Sequence, residues 1–224
     1  MAAEQPDAGP QPASPDQQEF QGAYGPFTIT ALDRREVLSY RLSLLVAALA
    51  QVALLAQWAW LGEKHLWPWL LPLAVGVGLA LRWIHIYLRP LHQALQLFWL
   101  IGSLGWLVLA IRVGPDAMAS TLRFDGRWVW AVGPFFAALA GIGFKEFFCF
   151  RRFEAIGVTL LLPLALFGHL SGLLPPAIVG GMLAVEATLL LVLCLRKFPM
   201  PAAADVGDKS VFAYLEQQRR ATTA

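Results

Sequence analysis

Charged residues are scarce in this sequence. Only 14% of its 224 residues are Asp, Glu, Lys or Arg and 58% are hydrophobic, whereas about a quarter of a soluble domain is charged. The mean hydropathy is +0.58. These values are typical of membrane proteins. The net charge of +2 is small, and the basic residues lie between apolar runs rather than along one stripe, which argues against nucleic-acid binding.

Cysteines and catalytic motifs are also few. The two cysteines, Cys149 and Cys194, form no CxxC pair, so the sequence predicts neither a metal site nor a redox pair. It contains no Gly-x-Ser-x-Gly, no His-Glu-x-x-His and no glycine-rich phosphate loop, so we predict no catalytic residue and no enzyme activity. The N-terminal residues lack the apolar core of a cleaved secretory signal, which is therefore not expected.

Long apolar runs divide the rest of the chain. About 20 apolar residues cross the roughly 30 Å of membrane hydrocarbon, and six runs come close to or reach that length: residues 42–61, 67–88, 91–111, 128–144, 155–174 and 177–195. We predict an all-α polytopic membrane protein with six transmembrane helices in residues 42–197. The second helix is expected to end at Pro90.

The segments outside these runs have different compositions. Residues 1–27 are rich in Ala, Gln, Pro, Asp and Gly and predict a disordered tail. Residues 28–41 are amphipathic and predict an interfacial helical segment capped by Asp33. Residues 198–224 predict a cytoplasmic tail.

The positions of Lys and Arg predict the orientation. With the N-terminus inside, thirteen of the seventeen basic residues fall on the inner side and four on the outer side. Positive residues are retained on the cytoplasmic side, so both termini are predicted to be cytoplasmic or stromal. The four outer residues are Lys64, Arg112, Arg123 and Arg127.

Glu186 lies near the middle of the sixth run, where water cannot solvate a carboxylate. Pro163 in the fifth run lacks an N–H and leaves the carbonyl of Thr159 without a helical donor. We hypothesise that a protonated Glu186 donates to that carbonyl, because His169 is offset by roughly 8 Å along the helix axis. Glu186 then either joins two helices or serves proton transfer or ligand contact.

Two histidines are candidates for cofactor binding. His85, near the inner end of the second run, and His169, within the apolar fifth run, can each ligate haem, chlorophyll or a metal. Alternatively, His85 extends to the lipid headgroups and His169 makes a packing hydrogen bond. No second pair of ligands is evident, so no cofactor is predicted.

A short charged run joins the fourth and fifth apolar runs. Four phenylalanines lie beside its charged residues, which are Lys145, Glu146, Arg151, Arg152 and Glu154. Such a basic, aromatic surface binds anionic lipid headgroups or an acidic partner. Alternatively, the run serves only as an orientation signal.

The same region carries a resemblance to a known family. GFKEFFCFRRFEA followed by LLLPLALFGHLSGLL, with GPFTITALDRREVLSYR before them, resembles a family of uncharacterised integral membrane proteins of cyanobacteria and plastids. The resemblance covers residues 25–197. It implies a multi-span protein of the thylakoid or plasma membrane, and it carries over no catalytic residue.

Three functions remain open from the sequence. The first is a non-catalytic helper or scaffold for larger complexes of a photosynthetic membrane. The second is a small-solute or proton transporter that uses Glu186 and His169. The third is a pigment-binding or haem-binding membrane protein that uses His85 or His169.

Overall fold

The structure, a computed structural model, describes residues 18–223. Two short strands, β1 (Gln18–Gly22) and β2 (Gly25–Ile29), precede nine α-helices in this part of the chain. The long helices are α1 (Ala31–Leu61), α2 (Trp67–Trp83), α3 (Arg89–Val113), α5 (Val129–Phe150), α6 (Phe153–Leu170) and α7 (Pro176–Lys197). The shorter ones are α4 (Met118–Phe124), α8 (Ala202–Val206) and α9 (Ser210–Thr223).

Five helices have the length and hydropathy to cross a membrane. They are α1, α3, α5 with the turn before it, α6 and α7, and they confirm the prediction of an all-α, multi-pass membrane protein. The other predicted span corresponds to α2, which has 17 residues. At 1.5 Å per residue α2 is about 26 Å long, slightly less than the roughly 30 Å of hydrocarbon.

The predicted end of the second helix is wrong. α2 ends at Trp83, and Ile84 is already extended. The residues that follow are β-branched or aromatic, which are poor helix formers. Pro90 does not end a helix but lies in the first turn of α3, where its missing N–H costs no hydrogen bond.

Residues 18–27 form a hairpin rather than the predicted disordered tail. Phe20 pairs with Phe27 across the two strands, and their rings stack 5.6 Å apart. Next to them, Ile29, Val37 and Val206 form a small core. The composition of residues 1–27 could not reveal this hairpin, because the apolar residues that pack against it belong to α8, almost at the other end of the sequence. Residues 1–17 lie outside the described residues.

The predicted interfacial segment is the first part of α1. Thr30 is its N-cap, and Asp33 is the third helical residue. The Thr30 N–H donates to Asp33 Oδ2 at 2.7 Å, and the Asp33 N–H donates to Thr30 Oγ1 at 3.2 Å. This reciprocal capping box fixes the start of α1. The predicted cap is therefore placed three residues too late: Thr30 is the N-cap, and Asp33 completes the capping box from within the helix.

The long helices pack as an antiparallel bundle. α1 contacts α2 and α7, while α5 contacts α3 and α6. Glycines set the distance between α3 and α5: a Cβ on Gly102 would lie 2.1 Å from the backbone nitrogen of Phe135, and one on Gly105 would lie 2.0 Å from the carbonyl oxygen of Ala131. Small residues of this kind let membrane helices approach each other closely.

The two ends of the bundle, which we call the tail end and the turn end, hold different segments. At the tail end, the start of α1 meets residues 198–210, and Arg41 Nε donates to Asp205 at 2.7 Å. At the turn end lie the connections between α1 and α2, α3 and α5, and α6 and α7. There Arg123 pairs with Glu63 at 2.6 Å.

Candidate functional site

A buried cluster of charges occupies the tail end, with Glu146 at its centre. Tyr40 Oη donates to Glu146 Oε1 at 2.6 Å, Lys145 Nζ donates to the same oxygen at 3.2 Å, and Lys197 Nζ donates to Oε2 at 2.5 Å. Both lysines lie over the rings of Tyr40 and Phe150, the closest 4.5 Å from the ring centre. Hydrogen bonds and cation–π contacts together compensate these charges for their lost hydration.

Asp205 extends this cluster towards the end of the chain. It accepts a hydrogen bond from Lys197 and pairs with Arg41 at 2.6 Å. Arg41 also donates to the carbonyls of Met200 and Pro201 at 2.9 and 3.3 Å. The cluster thus joins α1, α5, α7 and α8, and its three cations and two carboxylates leave one net positive charge.

The prediction that Lys145, Glu146 and Glu154 contact lipid or a partner is wrong, because all three side chains are buried. Lys145 and Glu146 face the interior of the bundle. Glu154 pairs with Arg196. The sequence shows these charges within two helical turns of each other, but Glu146 also binds Tyr40 of α1 and Lys197 of α7, and the partner of Glu154 lies on α7.

The rest of the charged run forms what we call the basic-aromatic face, which consists of the exposed residues Phe148, Arg151 and Phe153 and the half-buried Arg152. Phe148 is 76% exposed and Phe153 is 85% exposed. Arg151 ends α5 in a left-handed conformation, with φ of 50°, and its side chain is exposed. Arg152 donates to Met200 Sδ at 3.0 Å, and its Nη1 has no hydrogen-bond partner among the described residues.

Glu186 is buried in the middle of the bundle, and its partner is Gln51 of α1. Gln51 Nε2 donates to Glu186 Oε2, while Oε1 of each residue lacks a partner within the described chain. The hypothesised bond to the Thr159 carbonyl is therefore wrong. α7 turns Glu186 towards α1 rather than α6, and the Thr159 hydroxyl donates to Ala155 at 2.7 Å.

Sequence reasoning missed Gln51, although it left a signal. Gln51 is the one polar side chain between Ser43 and Gln57 in an otherwise apolar stretch of α1. A buried amide in such a stretch requires a hydrogen-bond partner at the same depth. The pattern cannot tell which neighbouring helix supplies that partner.

An apolar cavity of about 180 Å³ fills the turn-end half of the bundle. It extends from Gln51 to the Glu63 and Arg123 ion pair, and His169 lies on its wall. His169 Nε2 is 2.6 Å from the carbonyl oxygen of Leu122. His169 is therefore held by the α4 segment, and no hydrogen bond joins it to Glu186 in the described chain.

His85 lies at the tail end, far from His169. Its Nε2 is 3.6 Å from a Glu36 oxygen. Burial lowers the pKa of His85 below its ordinary value, and the Glu36 carboxylate acts in the opposite direction. The two histidines proposed as cofactor ligands do not share a site, so each would have to hold a pigment or haem alone.

Atoms of Asp33, Glu36 and His85 that can ligate a metal lie within 4.8 Å of one another. Asp33 is already held by the Thr30 cap and by Lys209 Nζ at 2.9 Å. The ammonium competes with a cation for the same carboxylate. The arrangement of these three residues is therefore better explained as an ion-paired helix cap than as a metal site.

One family model matches this chain. It is described as "Uncharacterized integral membrane protein (DUF2301)" and matches residues 79–214. The matched part includes the basic-aromatic face, His169 and Glu186, but Gln51 lies before it. No curated protein and no solved structure matches the chain.

Proposed function

This chain belongs to the DUF2301 family of uncharacterised integral membrane proteins, and we propose that it is a six-span, non-catalytic helper for larger membrane complexes. Its basic-aromatic face docks on an acidic segment of a partner protein. The proposed location is a photosynthetic membrane, the thylakoid or plasma membrane of a cyanobacterium or plastid, as the sequence resemblance implies.

Six spans with both tails inside are supported by the contacts at the tail end. Arg41, before the first span, pairs with Asp205, after the last one, so the two segments share one side of the bundle. That arrangement favours an even number of crossings, which is met if α2 spans the membrane beside the other five helices. The excess of Lys and Arg in the same segments favours the cytoplasmic side.

Thiol labelling tests this topology. Cys149 is exposed at the tail end, whereas Cys194 is buried. A membrane-impermeant maleimide added to intact cells that carry the protein in their plasma membrane should leave Cys149 unlabelled until the membrane is permeabilised. In a Cys149→Ser background, Ser171→Cys at the turn end should label at once. The reverse pattern would refute six spans with both tails inside, and labelling of both sites from one side would show that α6 does not cross the membrane.

The observation that supports docking is the separation between buried and exposed charge. The buried charges pair with one another inside the bundle, where Glu146 binds both Lys145 and Lys197. Arg151 forms no ion pair within residues 18–223 and projects beside two exposed rings. The cluster beneath it adds one positive charge. An acidic, partly apolar segment therefore complements the face in both charge and hydrophobicity.

Crosslinking through Cys149 tests the docking. A thiol-to-amine crosslinker applied to native membranes in mild detergent should join Cys149 to a subunit of a larger complex, identified by mass spectrometry. Arg151→Asn removes the charge, and Asn tolerates the left-handed conformation, so the crosslink should fall several-fold.

Arg112→Asn is the matched control, because Arg112 is exposed near the turn end and should leave the crosslink unchanged. A protein that always migrates as a monomer and gives no crosslink at Cys149 would contradict the proposal. A crosslink insensitive to Arg151→Asn would contradict the role of the face.

A second candidate is a small-solute or proton transporter that uses Glu186 and His169. It is favoured by the cavity, which leads from the turn end to Gln51, the partner of Glu186. The transporter predicts that Glu186→Gln abolishes flux into vesicles while the protein still folds. The helper predicts no flux in either protein.

A further inference from the structure

The turn-end cavity is charged at one end only. Its two charged lining residues, Glu63 and Arg123, both lie at the turn end, which we call the mouth of the cavity. From there the lining follows α1 between residues 51 and 58 and α7 between residues 176 and 183, about 10 Å of each helix. The cavity is therefore a slot that runs along the helices from a polar mouth towards the middle of the bundle.

The interior of this slot suits a hydrocarbon. Its polar side chains away from the mouth are already bound: Gln51 donates to Glu186, and His169 is held by the carbonyl of Leu122. The rest of the deeper lining is apolar, so a buried polar group would find no partner there. The volume of about 180 Å³ exceeds that of an engineered apolar cavity of roughly 150 Å³ that binds benzene.

A shallow groove between α1 and α7 connects this slot with the membrane-facing surface. The groove also contains exposed alanines of both helices. It shares four lining residues with the cavity, which are Leu55, Trp58, Arg123 and Pro176. A hydrocarbon chain can therefore enter sideways from the lipid, with Arg123 beside both the groove and the slot.

The mouth lies at the depth of the lipid headgroups. Exposed indole rings mark this depth, because tryptophan prefers the boundary between membrane and water. Four exposed tryptophans lie at the turn end, at the end of α1 and the starts of α2 and α5: Trp60, Trp67, Trp69 and Trp130. A molecule with its headgroup at the mouth and its chain in the slot is thus oriented as a membrane lipid is.

Arg123 has donors to spare for such a headgroup. Its Nη1 donates to Glu63 at 2.6 Å, and no other hydrogen bond joins its guanidinium to residues 18–223. The two side chains are 46% and 24% exposed, so both can be reached. The turn-end segments, residues 62–66 and 112–127, carry four cations and three carboxylates. The mouth therefore favours an anion that accepts from the remaining N–H groups of the guanidinium.

We propose that the cavity binds a long-chain fatty acid, with its chain in the slot and its carboxylate on Arg123. A singly charged carboxylate fits this place better than a doubly charged phosphate, because Glu63 already shares the guanidinium and repels a second anion. The slot holds one chain, as a fatty acid requires. This site goes beyond the helper function and lies at the opposite end of the bundle from the basic-aromatic face.

Photolabelling tests the site in the full chain, reconstituted in phosphatidylcholine nanodiscs at a pH where the acid is ionised. A dodecanoic acid with a diazirine near the end of its chain should label the buried lining residues Leu73 and Val132. Unlabelled dodecanoic acid should displace this label at about three- to fivefold lower concentration than methyl dodecanoate, the ratio that a partly exposed ion pair gives. Leu104, which is exposed on α3, reports contact with bulk lipid, and its label should not be displaced.

Three variants separate recognition of the carboxylate from a structural role of the ion pair. Arg123→Gln removes the cation and should abolish the preference for the acid over the ester. Glu63→Gln breaks the same ion pair but keeps Arg123, so the preference should persist or increase. Arg112→Gln is the matched control, because Arg112 is exposed near the turn end and should leave the preference unchanged.

Several results would overturn the proposal. No label on Leu73 or Val132 would mean that no chain enters the slot. Equal displacement by acid and ester, or a preference that survives Arg123→Gln, would mean that Arg123 does not recognise the carboxylate. Equal losses in Arg123→Gln and Glu63→Gln would leave the ion pair a structural role alone. Tighter binding of dodecyl phosphate than of dodecanoic acid would assign the mouth to a phosphate. None of these results depends on crosslinking at Cys149.

Discussion

Lys197 and Glu146 are 51 residues apart in the sequence, and yet Lys197 Nζ lies 2.5 Å from Glu146 Oε2 in the interior of the bundle. Lys197 is 1% exposed and Glu146 is fully buried. Lys197 also binds Asp205. One ammonium therefore connects the last long helix to α5 and to the segment that follows α7.

Replacing Lys197 tests that connection. Lys197→Met leaves two buried carboxylates with one cation fewer, so we expect the free energy of unfolding to fall by about 3 kcal/mol. The measurement is thermal or denaturant unfolding in detergent. Lys64→Met removes an exposed lysine at the turn end and should change stability by less than about 0.5 kcal/mol.

Lys145 should matter less than Lys197, although both bind Glu146. Lys145 makes one ion pair at 3.2 Å, whereas Lys197 pairs with both Glu146 and Asp205, so Glu146 keeps its shorter ion pair when Lys145 is removed. We therefore expect Lys145→Met to cost about 1 kcal/mol or less in the same assay. A loss as large as that of Lys197→Met would show that the cluster needs its third cation.

The contact between α3 and α5 depends on Gly102. A Cβ there would lie 2.1 Å from a backbone nitrogen, so Gly102→Ala must push the helices apart and should cost about 1–3 kcal/mol. Gly181 in α7 has open space where a Cβ would project. Gly181→Ala should be neutral or stabilise by up to about 1 kcal/mol. Similar losses in both variants would contradict this packing.

His85 predicts a dependence of stability on pH. Because burial lowers its pKa in the folded protein below the ordinary value of 6.5, the unfolded chain binds a proton more readily. Stability is therefore full above about pH 6.5 and declines as the pH falls below it. Unfolding temperatures from about pH 8 to about pH 5 should show this decline.

His85→Gln should flatten that part of the profile. The carboxylates of Glu36 and Asp33 lie beside His85 and are unchanged in this variant, so the difference between the two profiles reports on His85. A stability that rises on acidification and loses this rise in His85→Gln would contradict the prediction.

The sequence predicts the membrane helices well because their signal is local. Runs such as residues 91–111 and 177–195 contain the length and hydropathy that a bilayer requires, and they coincide with α3 and α7. The sequence also shows, for the same reason, that burying the Glu186 carboxyl group costs free energy: one acid in an apolar run needs a hydrogen-bond partner. The order of the helices along the chain and the depth of each residue in the membrane follow directly from such runs.

The side-chain partners could not be predicted because they depend on helix rotation. Comparing the depths of residues in the α6–α7 hairpin indicates Thr159 as the hydrogen-bond partner of Glu186. The rotation of α7 about its own axis instead turns Glu186 towards Gln51, 135 residues away in the sequence. The hairpin of residues 18–29 was missed for a related reason. Its apolar face is covered by Val206, whose position cannot be deduced from local composition.

The pairing of Arg41 with Asp205 has a consequence for biosynthesis. The ribosome releases Arg41 early, whereas Asp205 emerges only after another 164 residues have been made. Until then the guanidinium must remain at the aqueous surface, because it has no carboxylate with which to enter the bundle. The contact between the start of α1 and α8 is therefore completed only late in synthesis.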